Sequence, residues 1–274
     1  MRVPAPDGLA VAVVVRGDGP ALFLIHGFGG SAAAWGEPTL AALAHGRRVL
    51  AVDLIGHGAS DAPADATRVA LEPVLDDLER VLDAAGEGAC DWVGYSMGGR
   101  IALAAALLRP ARVRRLVLES ASPGLADEAA RTERRRQDEE LAGRIEREGV
   151  DAWVEAWEAG SLFSRRAALH DGVLLPFLAA RRANRAASLV AWLRGLGVGA
   201  QPSWWGRLGE VRSPTLLITG GEDERYTEIA RRMVPQMRDA RHRVVAGAGH
   251  TVHLEASADW LTALAEFLGA DESD

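Results

Sequence analysis

Cys90-Asp91-Trp92-Val93-Gly94-Tyr95-Ser96-Met97-Gly98-Gly99-Arg100 carries a short apolar run through Gly94-x-Ser96-x-Gly98 into the strongly helical stretch Ile101 to Leu108. This spacing lets a chain reverse from strand to helix around one serine. Side chains at the two glycines would collide with the neighbouring strand and helix. The turn leaves the serine hydroxyl proud of the sheet edge, at the positive end of the following helix. In a chain with 30 glycines the spacing alone also describes an ordinary Gly-rich turn. Its place between a strand and a helix, and Asp223 and His250 further on in that order, favour a nucleophile.

Outward from this turn the chain alternates. Strands are predicted at Leu9 to Val15, Ala21 to Ile25, Arg48 to Val52, Cys90 to Gly94 and Arg115 to Glu119, then at Pro214 to Thr219 and His242 to Val245. Ala21 to Ile25 is continuously apolar, as in a strand buried on both faces of a parallel sheet. Helices are expected near Trp35, over Leu71 to Ala85 with Leu75, Leu78 and Leu82 at helical spacing, and from Ala258 to Leu268. The fold class is therefore α/β, with a mainly parallel, doubly wound sheet. From Pro123 to Arg207 the alternation stops, and Arg/Glu-rich, Trp-bearing helical segments take its place. The expected organisation is a core of residues 1–122 and 208–274 with a helical cap, 123–207, inserted between two strands.

A serine hydroxyl is a weak nucleophile or base until a histidine activates it, and that histidine needs an orienting acid. Asp223 and His250 each follow a predicted strand, and the strand ends of a parallel sheet converge on one edge. The expected triad is Ser96, Asp223 and His250. Glu222, Glu224 and Glu119 are competing acids; His57 reads as a loop brace and His253 as packing. His26-Gly27-Phe28-Gly29 supplies a second Gly-rich loop, so the backbone N–H groups of Phe28 and Met97 are the expected oxyanion donors.

Composition excludes several other classes. The chain has 274 residues, 48% of them hydrophobic and 25% charged, which describes a globular protein. Its net charge of −7 gives no electrostatic case for nucleic acid. Every basic residue is Arg, so arginine abundance by itself is no sign of anion binding. Cys90 is the single cysteine, which rules out an internal disulfide and fits a reducing compartment. No run reaches membrane-spanning length and no signal-peptide core opens the chain, so a cytoplasmic location is expected. The seven histidines show no metal-ligand spacing, and neither metal nor organic cofactor is expected. Oligomeric state is not legible.

Over essentially its whole length the chain resembles the α/β-hydrolase superfamily. Triad and loops alone leave esterase, haloperoxidase-like and carbon–carbon hydrolase readings open. Gly94 to Arg100, Ser122-Pro123-Gly124-Leu125, and Arg131-x-x-Arg134-Arg135-x-x-Asp138 resemble the 2-succinyl-6-hydroxy-2,4-cyclohexadiene-1-carboxylate synthases of menaquinone biosynthesis. So do Trp157 with Phe163 six residues on, Arg182-x-Asn184, Leu193-Arg194, Gly197, Gly199, Gln201-Pro202 and Trp205.

That resemblance implies a lyase that eliminates pyruvate from 2-succinyl-5-enolpyruvyl-6-hydroxy-3-cyclohexene-1-carboxylate. Ser96 would be the base, and the substrate a small polycarboxylate. Arg100, one helical turn after Ser96, would lean back toward the elbow. Arg134, Trp157 and Tyr95 would be further substrate contacts. The alternatives are a helix-surface residue for Arg100, an Arg134–Asp138 pair on a solvated helix, a Trp153/Trp157 core stripe, and strand-end packing for Tyr95. The chain departs from the family pattern in having no proline between Trp157 and Phe163, and Ala256-Ser257 after Glu255. A serine hydrolase and a non-catalytic small-ligand receptor are the competing functions.

Overall fold

A computed structural model describes residues 1–160, 166 and 169–269. Eight strands form one sheet: β1 (Arg2–Pro4), β2 (Ala10–Arg16), β3 (Ala21–Ile25), β4 (Arg48–Asp53), β5 (Cys90–Tyr95), β6 (Val113–Glu119), β7 (Thr215–Gly220) and β8 (Ala240–Val245). Their spatial order is β1-β2-β4-β3-β5-β6-β7-β8. β2 runs antiparallel to both its neighbours, and the pairs from β4 through β8 are parallel. All five residues of β3 are buried, and they divide by strand period. Phe23 and Ile25 join the core beneath α2 (Leu71–Ala85) and α3 (Met97–Leu108). Leu22 and Leu24 join the opposite core with Trp35 and Trp260, beside α1 (Glu37–Leu43) and α9 (Ser257–Leu268).

The two helices on the first face differ for a reason visible in their residues. α2 buries one stripe, including Leu75, Leu78 and Leu82, and stops at Gly86, whose φ of 75° few other residues would adopt. α3 is buried along nearly its whole length, Arg100 included. A helix walled in on all sides holds its first turn rigidly, and that turn carries the Ser96 elbow.

Glu119 of β6 pairs with Ile218 of β7, so the chain leaves the sheet and returns to the adjacent place. Between them stand α4 (Glu128–Glu158), α5 (Asp171–Arg182) and α6 (Ala186–Leu196). Asp127 caps α4 by accepting from the Ala130 N–H at 2.7 Å. Gly149, at φ 84°, kinks α4 in two, so its second part carries Trp153 and Trp157 in a new direction. Trp153, Ile145, Leu189 and Leu193 form a third core among these helices. Phe163 lies outside the described residues.

The sequence reading passed over β1 and α7 (Glu224–Met233). β1 has three residues, too few for a periodic signal. α7 buries only Thr227, Ala230 and Met233, a stripe too thin to register among its charged residues. α8 (Val252–Glu255) is a single turn.

Candidate active site

Ser96 follows β5 directly and adopts φ 52°, ψ −110°, a left-handed conformation that costs about 1–3 kcal/mol for a residue with a Cβ. The surroundings enforce it. Its N–H donates to the Glu119 carbonyl at 2.8 Å, and its carbonyl accepts from the Arg100 N–H at 3.1 Å. A Cβ on Gly98 would strike the Ile25 carbonyl oxygen, and one on Gly94 would strike the Gly98 carbonyl. Both glycines are therefore demanded by the closeness of β3, β5 and α3.

Asp223 and His250 lie past the ends of β7 and β8, on the same sheet edge as Ser96. The Ser96 Oγ is 3.1 Å from His250 Nε2, and His250 Nδ1 is 2.6 Å from Asp223 Oδ2. A carboxylate can only accept here, so Nδ1 carries the imidazole proton and the Nε2 lone pair faces the serine. Asp223 is fixed in turn by its second oxygen, which accepts from the Tyr226 N–H at 3.1 Å and caps α7. His250 and Asp223 are buried, and Ser96 is half-buried. Glu119 does not compete for His250. Its carboxylate accepts from His253 Nδ1 at 2.8 Å and from the His253 N–H at 3.1 Å.

Neither the Phe28 nor the Met97 amide has a protein acceptor among the described residues, which leaves both donors available beside Ser96. The loop that presents Phe28 is braced by two histidines. His26 Nε2 accepts from the Leu54 N–H at 3.1 Å, so its Nδ1–H donates to the Gly27 carbonyl at 2.8 Å. His57 Nε2 accepts from the Gly29 N–H at 3.3 Å. Burial, first among the causes, holds both imidazoles below the usual 6.5, His57 well below. Below about pH 6.5 the unfolded chain therefore binds more protons than the folded one, and stability falls as pH falls. His57→Gln keeps an acceptor for Gly29 without a titrating ring. Between pH 7 and 5 its melting temperature should drop less than that of the wild type; identical slopes would deny the brace its neutral state.

A cavity of about 270 Å³ opens over the triad. Ser96, His250, Phe28 and Met97 line it, together with the guanidinium-bearing residues Arg100, Arg134 and Arg225, and no Asp or Glu is among its described lining residues. A larger hollow, about 400 Å³, lies between α1 and α5 but includes no triad residue.

Arg100 is 8% exposed. Its Nη1 donates to the Leu196 carbonyl at 3.2 Å and to Gln201 Oε1, both neutral acceptors. Burial lowers its pKa to about 10, which leaves it cationic at neutral pH. Among the described residues no carboxylate forms an ion pair with it. Arg134 does both things its position allowed: Nε donates to Asp138 Oδ1 at 2.7 Å, and the residue lines the cavity. Trp157 likewise lines the cavity while stacking with Trp153 and Phe28.

Tyr95 corrects the sequence reading. It is 3% exposed, its hydroxyl is 2.9 Å from Thr251 Oγ1, and its ring packs against His250, His253 and the underside of Gly27. Being the last residue of β5, its side chain goes into the core and not to the cavity. Tyr226, Arg225 and Trp192 line the cavity and were missed. Tyr226 stacks on the His250 ring with centroids 4.6 Å apart. The signal was present, since Arg225 and Tyr226 open the helix that Asp223 caps.

Among the described residues no three His, Cys, Asp or Glu side chains are grouped to hold a metal ion, and no helix is long and apolar enough to cross a membrane.

The chain is similar to known proteins over most of its length. A family model described as the alpha/beta hydrolase fold matches residues 20–257. A Bacillus subtilis (strain 168) protein is 35% identical over 270 residues, 98% of either chain, and carries the provisional name 2-succinyl-6-hydroxy-2,4-cyclohexadiene-1-carboxylate synthase. A Shigella flexneri protein of that name, without the qualifier, is 30% identical over 249 residues, 91% of this chain and 94% of its own. The solved structure of MenH from S. aureus superposes with a TM-score of 0.90 at 28% identity, covering 96% of this chain and 99% of that one.

Proposed function

We propose, from the premise that this chain belongs to the α/β-hydrolase fold family, that it eliminates pyruvate from 2-succinyl-5-enolpyruvyl-6-hydroxy-3-cyclohexene-1-carboxylate, a step of menaquinone biosynthesis. The observation that carries the proposal is Arg100, a buried guanidinium beside the triad serine with no carboxylate partner among the described residues. A neutral ester offers such a group nothing, whereas a substrate carboxylate supplies the missing charge. Arg134 and Arg225 at the same cavity suit a substrate with several carboxylates.

In this reading Ser96 Oγ, its proton drawn by His250 Nε2, takes the proton from the ring carbon beside the ketone. The electron pair left behind becomes an enolate, whose oxygen accepts from the Phe28 and Met97 N–H groups. The enolate then collapses: a double bond forms from the deprotonated ring carbon to its neighbour, the existing ring double bond moves one place toward the leaving group, and the carbon–oxygen bond to the enolpyruvyl group breaks. The leaving enolpyruvate takes up a proton and becomes pyruvate. Asp223 holds His250 in the tautomer that receives the proton. The inserted helices, within residues 123–207, act as a cap that narrows the cavity and keeps water out.

The test is coupled detection of pyruvate from the enolpyruvyl cyclohexene substrate, run beside a panel of p-nitrophenyl esters. Pyruvate release far above ester cleavage is expected. Ester cleavage with no pyruvate would make the chain a serine hydrolase, and neither activity would leave a receptor.

A further inference from the structure

We propose that Arg181 and Asn184, at the end of cap helix α5, are positioning residues of the oxyanion hole, so that the cap completes the bracing that His26 and His57 supply from the core. The proposal rests on the reading of Phe28 N–H as an oxyanion donor.

A backbone N–H cannot be aimed by itself; its direction follows from the peptide planes around it. The Phe28 N–H shares a plane with the Gly27 carbonyl, which accepts from His26 Nδ1–H at 2.8 Å and from the Gly30 N–H at 3.0 Å. Gly30 N–H in turn shares a plane with the Gly29 carbonyl, and that carbonyl accepts from Asn184 Nδ2 at 2.9 Å. The plane between these two carries the Phe28 carbonyl, which accepts from Arg181 Nη2 at 3.3 Å. The planes thus run in series from Asn184 to the donor, and cap side chains hold two of the three carbonyls. Gly29 is the flexible joint, at φ 66°, and a Cβ there would run into the Trp153 ring of α4.

Neither anchor is a casual surface contact. Asn184 and Arg181 are both buried, and Asn184 Nδ2 also donates to the Arg181 carbonyl, in the last turn of α5, at 2.9 Å. The Arg181 guanidinium lies over the Trp153 and Phe177 rings, with Glu158 3.6 Å from its Nε. A loop held only by His26 and His57 would keep the Gly27 carbonyl and the Gly29 N–H in place but leave the Phe28 and Gly29 carbonyls without their side-chain donors. Cap and hole are therefore one unit mechanically, though far apart in sequence.

Asn184→Ala, Asn184→Asp, Arg181→Met and Arg181→Lys test this against two readouts. The first is kcat and KM for pyruvate release. The second is the rate at which a small neutral fluorophosphonate labels Ser96: the serine oxygen bonds phosphorus, fluoride leaves, and the phosphoryl oxygen enters the hole. Loss of a hole donor itself typically costs about 10²–10³-fold, so a loosened donor should cost about 10- to 100-fold. Asn184→Ala should lose that much in both kcat and labelling, with KM changed less than about threefold. Asn184→Asp, equal in size but repelling the Gly29 carbonyl, should lose at least as much and serves if the alanine variant does not fold. Arg181→Met should slow labelling, and Arg181→Lys should restore part of it. Unchanged labelling in folded variants, or a loss confined to KM, overturns the proposal. If the wild type labels but releases no pyruvate, the lyase reading fails while the labelling arm still decides this one.

Discussion

Turnover by Ser96→Ala falls by about 10³-fold or more, because the variant has no oxygen to accept the substrate proton. Its melting temperature stays near that of the wild type, since among the described residues the Ser96 hydroxyl bonds only His250 Nε2, at 3.1 Å on the cavity surface. His250→Ala loses as much activity, and the double variant loses little more, because the members act as one unit. The two single variants differ in stability. His250→Ala strips the buried Asp223 carboxylate of a 2.6 Å donor, a loss worth about 1.5–3 kcal/mol. Pyruvate release by Ser96→Ala at near the wild-type rate would remove the serine-base mechanism outright, and thermal melts of the three variants separate chemistry from folding.

Arg100→Ala carries the second large effect. If a substrate carboxylate meets this guanidinium in a largely dry cavity, truncation leaves that charge unpartnered. The cost is about 2–5 kcal/mol, or roughly 30- to several-thousand-fold in kcat/KM for pyruvate release. Arg100→Lys should recover only part, since an ammonium cannot reproduce the planar two-pronged fork. Arg100 also ties the end of α6 to α3 through the Leu196 carbonyl and Gln201. A control for that role is labelling of Ser96 by the neutral fluorophosphonate, which carries no carboxylate. A large loss in pyruvate release with little change in labelling assigns Arg100 to the substrate. Equal losses in both would make it a strut between the core and the cap.

The hydrogen-bonded row of Ser96, His250 and Asp223 was legible because each residue announces itself locally: a glycine-flanked serine between strand and helix, and an acid and a histidine each just past a strand. Parallel topology then brings strand ends together without further information, so Ser96, Asp223 and His250 could be joined across 154 and 27 residues of separation. The helical insertion was legible for the converse reason, since alternation visibly stops after β6 and resumes at β7. His57 as a loop brace followed from its place between two glycines.

Which way a side chain points from a known position was a different matter. Tyr95 and Ser96 are adjacent, yet one enters the core and the other the cavity, and only the reversal at Ser96 decides which. Arg134 could pair with Asp138 or line the cavity by spacing alone; the fold has it do both. Arg225 and Tyr226 reach the cavity because Asp223 caps their helix, and Glu119 is engaged by His253 of α8, which offers it both its backbone N–H and Nδ1. Sequence by itself determined the strand–helix alternation, the strand–turn–helix around Ser96 and the break in alternation after β6, since these depend on residue type and short spacing. Tertiary structure alone decided which arginines line the cavity with Ser96 and that Arg181 and Asn184 bond the Phe28 and Gly29 carbonyls, because those contacts join surfaces whose relative orientation is set by packing and by no local pattern.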